Sequence, residues 1–225
     1  MYTYNMGEIS EAVHPAGRSS TVELENPQPM HSKGVESINT RVAATVVSGN
    51  KERSANTFIQ KASQNGVFNA HQTDTERYWE HYNFLKQRGF PVPTTVRKVA
   101  GSDDLLITDL TENGTKRVFS SNEIFAKEVN IQDYNAEELR DKMLAIADKA
   151  DQEGIKIWQD AYFFIVDKDN NVEVILGDLG LGIFPPNGEG EDKTPTYSHD
   201  RVVDFYKEIT KKSAISRFIG LFNRR

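Results

Sequence analysis

The chain has 225 residues, no cysteine and a formal net charge of −6 at neutral pH, from 27 Lys and Arg against 33 Asp and Glu. The absence of cysteine excludes a disulfide scaffold, a thiolate zinc site and a cysteine nucleophile. The acidic balance argues against a nucleic-acid-binding protein, because phosphate contacts need clustered Lys and Arg. The sequence shows no run of about 18 apolar residues and no apolar leader, so we expect no transmembrane segment and a cytoplasmic protein, with secretion as an effector left open.

The N-terminal part of the chain is predicted to hold a flexible arm followed by an antiparallel hairpin. Residues 1–25 are polar and lack hydrophobic periodicity, which is typical of an arm without regular structure. A strand is expected near Met30. The β-branched run RVAATVV at 41–47 and the segment NTFIQK at 56–61 flank a Ser-Gly-Asn turn, so they predict two paired strands.

The middle of the chain is predicted to contain two helices and further strands. A helix is expected from Asp74 to about Arg88, because a Thr-x-x-Glu capping box precedes it and a glycine and two prolines follow it. The run LLITDL at 105–110 is typical of a buried strand. A second helix is expected from Ala136 to about Gln152, with an apolar face formed by Leu139, Met143, Ile146, Ala147 and Ala150.

The C-terminal part is predicted to hold a hairpin, a glycine-rich turn and a last helix. Short apolar strands at 162–166 and 172–176 flank a polar turn, and Gly-Asp-Leu-Gly follows the second strand at once. The last helix begins near Ser198. Residues 211–225 carry five basic and no acidic side chains, so this helix either packs on its own domain or contacts an anionic membrane or a partner.

Three charged residues have a notable order and spacing along the chain. Lys61 lies at the end of FIQK, Asp178 opens Asp-Leu-Gly directly after a strand, and Asp160 lies eighteen residues before Asp178. In this order and spacing the chain resembles the protein-kinase-like superfamily, over about residues 30–210. It looks most like the aminoglycoside phosphotransferase, lipopolysaccharide kinase and minimal bacterial kinase branches.

The resemblance implies an α+β, two-lobe protein-kinase-like fold with a small C-lobe. The predicted domains are a flexible N-terminal arm at 1–25, an N-lobe of one antiparallel sheet and one helix at 26–110, and a C-lobe with a basic C-terminal helix at 111–225.

The resemblance also implies an ATP site. In the family a strand Lys positions the phosphates, a helix Glu pairs with that Lys, a Gly-rich loop covers the phosphates and hinge backbone groups read the adenine. The corresponding residues are Lys61, Glu80, Gly34, Asp109 and Leu110. Glu76 lies one turn before Glu80 on the same helix face and remains the alternative partner of Lys61. Lys61 is also open to interpretation as a surface lysine at a strand end.

The implied reaction is ATP- and Mg²⁺-dependent transfer of the γ-phosphoryl group to a hydroxyl of an unidentified small molecule or protein. Asp178 would bind Mg²⁺, and Asp160 would orient the attacking hydroxyl. Trp158 stands in place of the family's His, and Ile165 in place of its metal-binding Asn. These departures favour the alternative of a catalytically inactive kinase-like module that binds a nucleotide or a partner. A structural protein without a nucleotide site is the third hypothesis.

Overall fold

The protein is described from a computed structural model, which covers residues 21–29, 37–48, 51–53, 57–63, 74–99, 102–112, 114–180, 182–186 and 197–222. The strands are β1 (Thr21–Pro29), β2 (Ser37–Ser48), β3 (Lys51–Arg53), β4 (Thr57–Ser63), β5 (Val96–Lys98), β6 (Leu105–Thr108), β7 (Arg117–Ser120), β8 (Lys156–Ile157), β9 (Tyr162–Val166), β10 (Val172–Leu176) and β11 (Ile183–Phe184). The helices are α1 (Asp74–Gln87), α2 (Ser121–Phe125), α3 (Ala136–Gln152) and α4 (Ser198–Phe222), with 3₁₀ turns at Ile131–Asp133 and Gln159–Ala161.

The fold class is α+β, which confirms that part of the prediction. Every strand pair among the described residues is antiparallel, and no parallel β-α-β unit occurs among them. Across the described ranges, every helix is too short or too polar to cross a lipid bilayer.

The chain divides into two compact units, and each is made of two segments. These are Met1–Tyr82 and Pro93–Gly114 in the first unit, and Asn83–Val92 and Thr115–Arg225 in the second. The sequence predicted a single boundary between the two lobes, between residues 110 and 111, besides the one at the end of the arm. The short segment Asn83–Val92 belongs to the second unit because the amide of Leu176 donates to the carbonyl of Pro91 at 2.8 Å.

The first unit is built on an antiparallel sheet with the strand order β1-β2-β4-β6-β5, and β3 pairs with β2. The two strands of the predicted hairpin correspond to β2 and β4, which do pair, but a further strand, β3, lies between them in the chain and also pairs with β2. β1 begins at Thr21, inside the predicted arm, because residues 21–25 pair in continuous register with residues 43–47 of β2. Its prolines are compatible with a strand because β1 lies at the sheet edge, with a register shift between Glu25 and Gln28. Residues 1–20 of the predicted arm lie outside the described residues.

A small apolar core lies on this sheet. Val42, Val99 and Leu106 are buried together, and Phe58 packs against them. β4 is a central strand between β2 and β6, and Lys61, which pairs with Asn39 on one side and Leu105 on the other, is only 9% exposed. The lysine is therefore a buried charge in a sheet rather than the surface residue of the alternative interpretation.

The second unit contains two small antiparallel sheets, with the strand orders β10-β9-β7 and β11-β8, and α3 packs against β10 and β8. α3 has the predicted bounds, and the side chain of Asn135 caps it by accepting a hydrogen bond from the amide of Glu138 at 3.2 Å. The predicted apolar face is confirmed, because its five residues are the ones buried: Leu139, Met143, Ile146, Ala147 and Ala150.

The start of α4 is fixed to α3 and to β8. The carboxylate of Asp151, at the end of α3, accepts hydrogen bonds from the amides of Ser198 at 2.8 Å and His199 at 3.0 Å. The hydroxyl of Ser198 donates to the carbonyl of Ile155 at 3.3 Å and accepts from the amide of Ile157 at 2.9 Å. These contacts hold the first turn of α4 beside the strand that precedes Asp160.

Candidate carboxylate site

The ladder of β9 and β10 brings two predicted functional segments together. Tyr162 at the start of β9 pairs with Leu176 at the end of β10. Because the strands are antiparallel, the residues before β9 face the residues after β10. The carbonyl of Ala161 accepts hydrogen bonds from the amides of Gly177 at 2.9 Å and Asp178 at 3.3 Å. The predicted metal ligand is thus held by backbone against the segment of the predicted catalytic residue.

The ladder of β8 and β11 closes the same site from its other end. Ile157 pairs with Ile183, and the amide of Trp158 donates to the carbonyl of Gly182 at 2.8 Å. Asp160 lies in the 3₁₀ turn between β8 and β9, and so between the two ladders. Asp160 and Asp178 are eighteen residues apart in the sequence, but the two ladders bring their backbone segments close together.

Two glycines allow this close approach. A Cβ at position 177 would lie 2.5 Å from the ring of Phe163, and a Cβ at position 182 would lie 3.0 Å from Oδ1 of Asp160. Real Cβ atoms do not tolerate the first distance, so Gly177 is required by the packing of β9. Gly182 leaves room for the carboxylate of Asp160.

The carboxylate of Asp160 is held where its negative charge is unfavourable. Its Oδ1 is buried and has no hydrogen-bond partner within the described part of the chain. Burial raises the pKa of Asp160, and the negative charge of Asp178 raises that pKa further. Backbone amides and the charge of Arg201 oppose the rise without cancelling it. A carboxylate with a raised pKa takes up a proton more readily than an ordinary one, so it is suited to orient or accept the proton of a hydroxyl group.

An arginine from α4 contributes to the site, and sequence reasoning did not find it. The guanidinium carbon of Arg201 lies 5.0 Å from the ring centroid of Trp158, while the ring of Phe184 lies 5.5 Å from the same ring. Trp158 is therefore in contact with both a cation and an aromatic ring. No spacing rule links position 201 with position 158, so this contact depends on how α4 packs.

The first unit contains Lys61, the predicted phosphate-binding residue. Its ammonium nitrogen lies 4.9 Å from the ring centroid of Tyr78 on α1. On the same helix Glu76 is half-buried and Glu80 is exposed. α1 therefore lies close to the ammonium group of Lys61. Pairing of Lys61 with a glutamate of α1 requires this proximity. Gly34, the predicted loop glycine, lies outside the described residues.

Asp109 was predicted as a hinge residue, and its backbone groups are engaged within the first unit. Its amide donates to the carbonyl of Thr57 at 3.3 Å, and its carbonyl accepts from the amide of Glu112 at 3.1 Å. Its neighbour Leu110, half-buried in the turn after β6, is the other predicted hinge residue.

The side chain of Asp109 is an internal anchor, with only 2% of its surface exposed. Its Oδ1 accepts from the amide and the hydroxyl of Thr111 at 3.0 and 2.7 Å. Its Oδ2 accepts from the hydroxyl of Thr57 at 2.9 Å and lies 3.0 Å from Nε of Arg41. Burial alone would raise the pKa of Asp109, but the hydrogen bonds from Thr111 and Thr57 and the charge of Arg41 together lower it. This carboxylate therefore remains ionised and ties β6 to β4 and β2.

The predicted residues fall into two sets. Lys61, Glu80, Asp109 and Leu110 belong to the first unit, whereas Asp160 and Asp178 belong to the second and come together there. Within the described ranges, no group of three or more His, Asp or Glu side chains is arranged to hold a metal ion. A nucleotide-bound Mg²⁺ needs only one or two protein carboxylates, because phosphate oxygens and water fill its other positions. The carboxylate pair, with the unpartnered Oδ1 of Asp160, fits such a cation.

Comparison of the sequence with protein-family models and with curated proteins gives no match. The residues and geometry described above are therefore the ground for a functional proposal.

Proposed function

We propose that the chain is a protein-kinase-like phosphotransferase, with a two-lobe fold and a small C-lobe, that uses ATP and Mg²⁺ to phosphorylate a hydroxyl group. The observation that carries the proposal is the approach of Asp178 to Asp160, which is close enough for the charge of one carboxylate to raise the pKa of the other. Phosphoryl transfer to a hydroxyl uses two carboxylates in this way, one at the metal and one at the attacking oxygen.

Each residue has its own part in the proposed reaction. Asp178 would hold Mg²⁺, which when bound neutralises charge on the nucleotide phosphates. Asp160 would orient the acceptor hydroxyl and take its proton, as its raised pKa favours. Lys61 would position the phosphates as a compact positive charge, with a glutamate of α1, Glu80 or Glu76, holding its ammonium group. Positioning and charge neutralisation would supply most of the rate.

A catalytically inactive kinase-like module is the second candidate, and two observations favour it. Ile165 occupies the position of the family's metal-binding Asn and is buried in β9, paired with Glu173 on one side and Val118 on the other. Trp158 occupies the position of the family's His and is stacked with Arg201. Such a module would retain nucleotide binding through Asp178 and lack efficient transfer.

The first test is thermal unfolding of the full chain with ATP, in the presence and absence of Mg²⁺. A ligand that binds only the folded state raises the free energy of unfolding, by about 2.7 kcal/mol at a hundredfold excess over its Kd. We expect a Mg²⁺-dependent stabilisation that Asp178→Ala removes. The control is Asp169→Ala, which removes an exposed carboxylate from the turn between β9 and β10 and should leave the stabilisation intact. The absence of stabilisation in the wild type would contradict the phosphotransferase and would leave, of the second candidate, only a module that binds a partner.

The second test separates the two candidates by measuring ADP release with small-molecule and peptide hydroxyl acceptors. For a phosphotransferase we expect Asp160→Asn to retain the Mg²⁺-dependent stabilisation by ATP and to release ADP at least about a hundredfold more slowly than the wild type. If the wild type and Asp160→Asn both release ADP only at the background rate while still binding the nucleotide, the inactive module is favoured.

A further inference from the structure

Arg201 lies in a part of α4 that is firmly attached to the rest of the second unit. The carboxylate of Asp151 accepts a hydrogen bond from the amide of Ser198 at 2.8 Å, and the hydroxyl of Ser198 accepts one from the amide of Ile157 at 2.9 Å. Ser198 and Val202, which stand on either side of Arg201 in the chain, are both completely buried. The backbone that carries Arg201 is therefore fixed beside β8.

The guanidinium group of Arg201 packs against the residue that leads into the turn of Asp160. Its carbon atom lies 5.0 Å from the ring centroid of Trp158, and its Nε is shielded from solvent. Trp158 directly precedes the 3₁₀ turn Gln159–Ala161, and its amide donates to the carbonyl of Gly182 at 2.8 Å. A Cβ at position 182 would lie 3.0 Å from Oδ1 of Asp160. Arg201 and the carboxylate of Asp160 are thus linked through two residues that both contact the same turn.

Arg201 also brings positive charge to a site that contains two carboxylates. The charge of Asp178 disfavours the ionised form of Asp160, and the charge of Arg201 favours it. A carboxylate in the protein interior is costly unless a nearby charge or hydrogen bond compensates it. A guanidinium group suits this purpose, because it keeps its proton at any ordinary pH and its planar shape stacks on an aromatic ring.

We propose that Arg201 is a positioning residue for Asp160. Its guanidinium group packs on Trp158 and so orients the turn, and its charge offsets the two carboxylates, which keeps Asp160 aligned with the acceptor hydroxyl. The catalytic part of this inference rests on the proposed phosphotransferase activity, whereas the pairing of Arg201 with Asp160 does not. Because a displacement of about 1 Å at a reacting group can slow a reaction by about a hundredfold, loss of Arg201 should affect the rate of transfer more than the binding of ATP.

The first experiment measures the pairing without any assumption about function. Arg201→Gln is introduced into the wild type and into Asp160→Asn, and the folding equilibrium constant of each full chain is measured by urea denaturation at neutral pH. We expect the substitution to lower this constant at least about threefold more in the wild type than in Asp160→Asn, where no carboxylate remains to be compensated. The matched control is Arg140→Gln. Arg140 also packs on an aromatic ring, that of Tyr206 at 5.2 Å, and its substitution should cost the same in both backgrounds.

The second experiment measures ADP release with the hydroxyl acceptors described above. We expect Arg201→Gln to lower kcat by at least about tenfold while the KM for ATP stays within about twofold of the wild type. Arg201→Lys should recover part of kcat, since it keeps the charge and loses the planar stack. Arg140→Gln should leave both parameters unchanged, which separates positioning of Asp160 from general loosening of the second unit.

Four outcomes would overturn the proposal. Equal losses of stability for Arg201→Gln in the two backgrounds would show that Arg201 does not act on Asp160. A raised KM for ATP with an unchanged kcat would make Arg201 a nucleotide-binding residue instead. A kcat for Arg201→Lys no higher than for Arg201→Gln would exclude the role of the charge, and an equal fall in kcat for Arg140→Gln would assign the effect to loosening. A wild type that releases no ADP would refute the phosphotransferase, and the stability comparison would still decide the pairing.

Discussion

Replacing Asp109 by Asn tests whether this carboxylate is an anchor of the first unit. Each of its oxygens faces hydrogen-bond donors or a cation: Oδ1 meets the amide and hydroxyl of Thr111, and Oδ2 meets the hydroxyl of Thr57 and the guanidinium of Arg41. An amide keeps one acceptor oxygen and puts a donor at the other position. Whichever way the Asn is oriented, its NH₂ group faces either the fixed amide of Thr111 or the cationic Arg41.

The expected cost follows from those contacts. A hydrogen bond to a charged acceptor contributes about 1.5–3 kcal/mol, and a donor left unpaired in the interior costs about 1–3 kcal/mol. The side chain of Arg41 is 32% exposed, so water compensates part of the loss on that side. We therefore expect Asp109→Asn to lower the free energy of unfolding by about 2–4 kcal/mol.

Urea denaturation at neutral pH, followed by far-ultraviolet circular dichroism, measures this loss. The control is Asp103→Asn, which removes an exposed carboxylate of the same unit and should change stability by less than about 0.5 kcal/mol. Because the folded pKa of Asp109 is lowered, its contribution is present above the unfolded pKa of about 3.9 and is lost as pH falls through the folded value. The difference in free energy of unfolding between the wild type and Asp109→Asn should therefore decrease as the pH is lowered. Equal free energies of unfolding for Asp109→Asn and Asp103→Asn at neutral pH would refute the role of Asp109 as an anchor.

Three further substitutions test the second unit by the same urea assay. Asp160→Asn should raise the free energy of unfolding at neutral pH, because the folded pKa of Asp160 is raised and its ionisation therefore destabilises the folded state. The gain should vanish below the unfolded pKa of about 3.9, where the carboxyl is protonated in both states. A lower free energy of unfolding at neutral pH would contradict this electrostatic argument. Gly177→Ala should cost about 1–3 kcal/mol, since its Cβ would lie 2.5 Å from the ring of Phe163, and an unchanged midpoint would argue against that close approach. Tyr162→Phe should leave stability unchanged or raise it, because the buried hydroxyl has no hydrogen-bond partner within the described residues; a loss above about 1 kcal/mol would reveal a partner.

Elements with strong local signals were predictable from the sequence. α3 has both an Asn135 cap and five apolar residues at helical spacing, and each signal is read within one segment of chain. Its predicted bounds and face are confirmed. α1 likewise begins at Asp74 as predicted, because capping and termination signals bracket it.

The shortest elements were missed because they depend on contacts rather than on local pattern. α2 has only five residues, too few to be stable alone, although Ser120 and Glu123 form a capping box that the sequence does contain. The hydroxyl of Ser121 donates to the carbonyl of Gln159, and Ile124 is buried. The helix therefore forms against the turn that carries Asp160, a partner that its own sequence does not indicate.

The resemblance to the protein-kinase-like superfamily singled out Asp160 and Asp178 as candidates, and antiparallel pairing of β9 and β10 brings their segments together. The electrostatics of these two residues could not be predicted. The unpartnered Oδ1 of Asp160 depends on Gly182 and on burial, and its charge balance depends on Arg201 from a later helix. Such effects arise from packing between distant parts of the chain.

The carboxylate of Asp151 makes two backbone amides into reporters of how firmly α4 is attached. The first amides of a helix have no partner within the helix, so in solution they normally exchange hydrogen for deuterium quickly. The amides of Ser198 and His199 are instead bonded to a residue 47 and 48 positions earlier in the chain. Slow isotope exchange at these two positions therefore reports how rarely the start of α4 is released from α3.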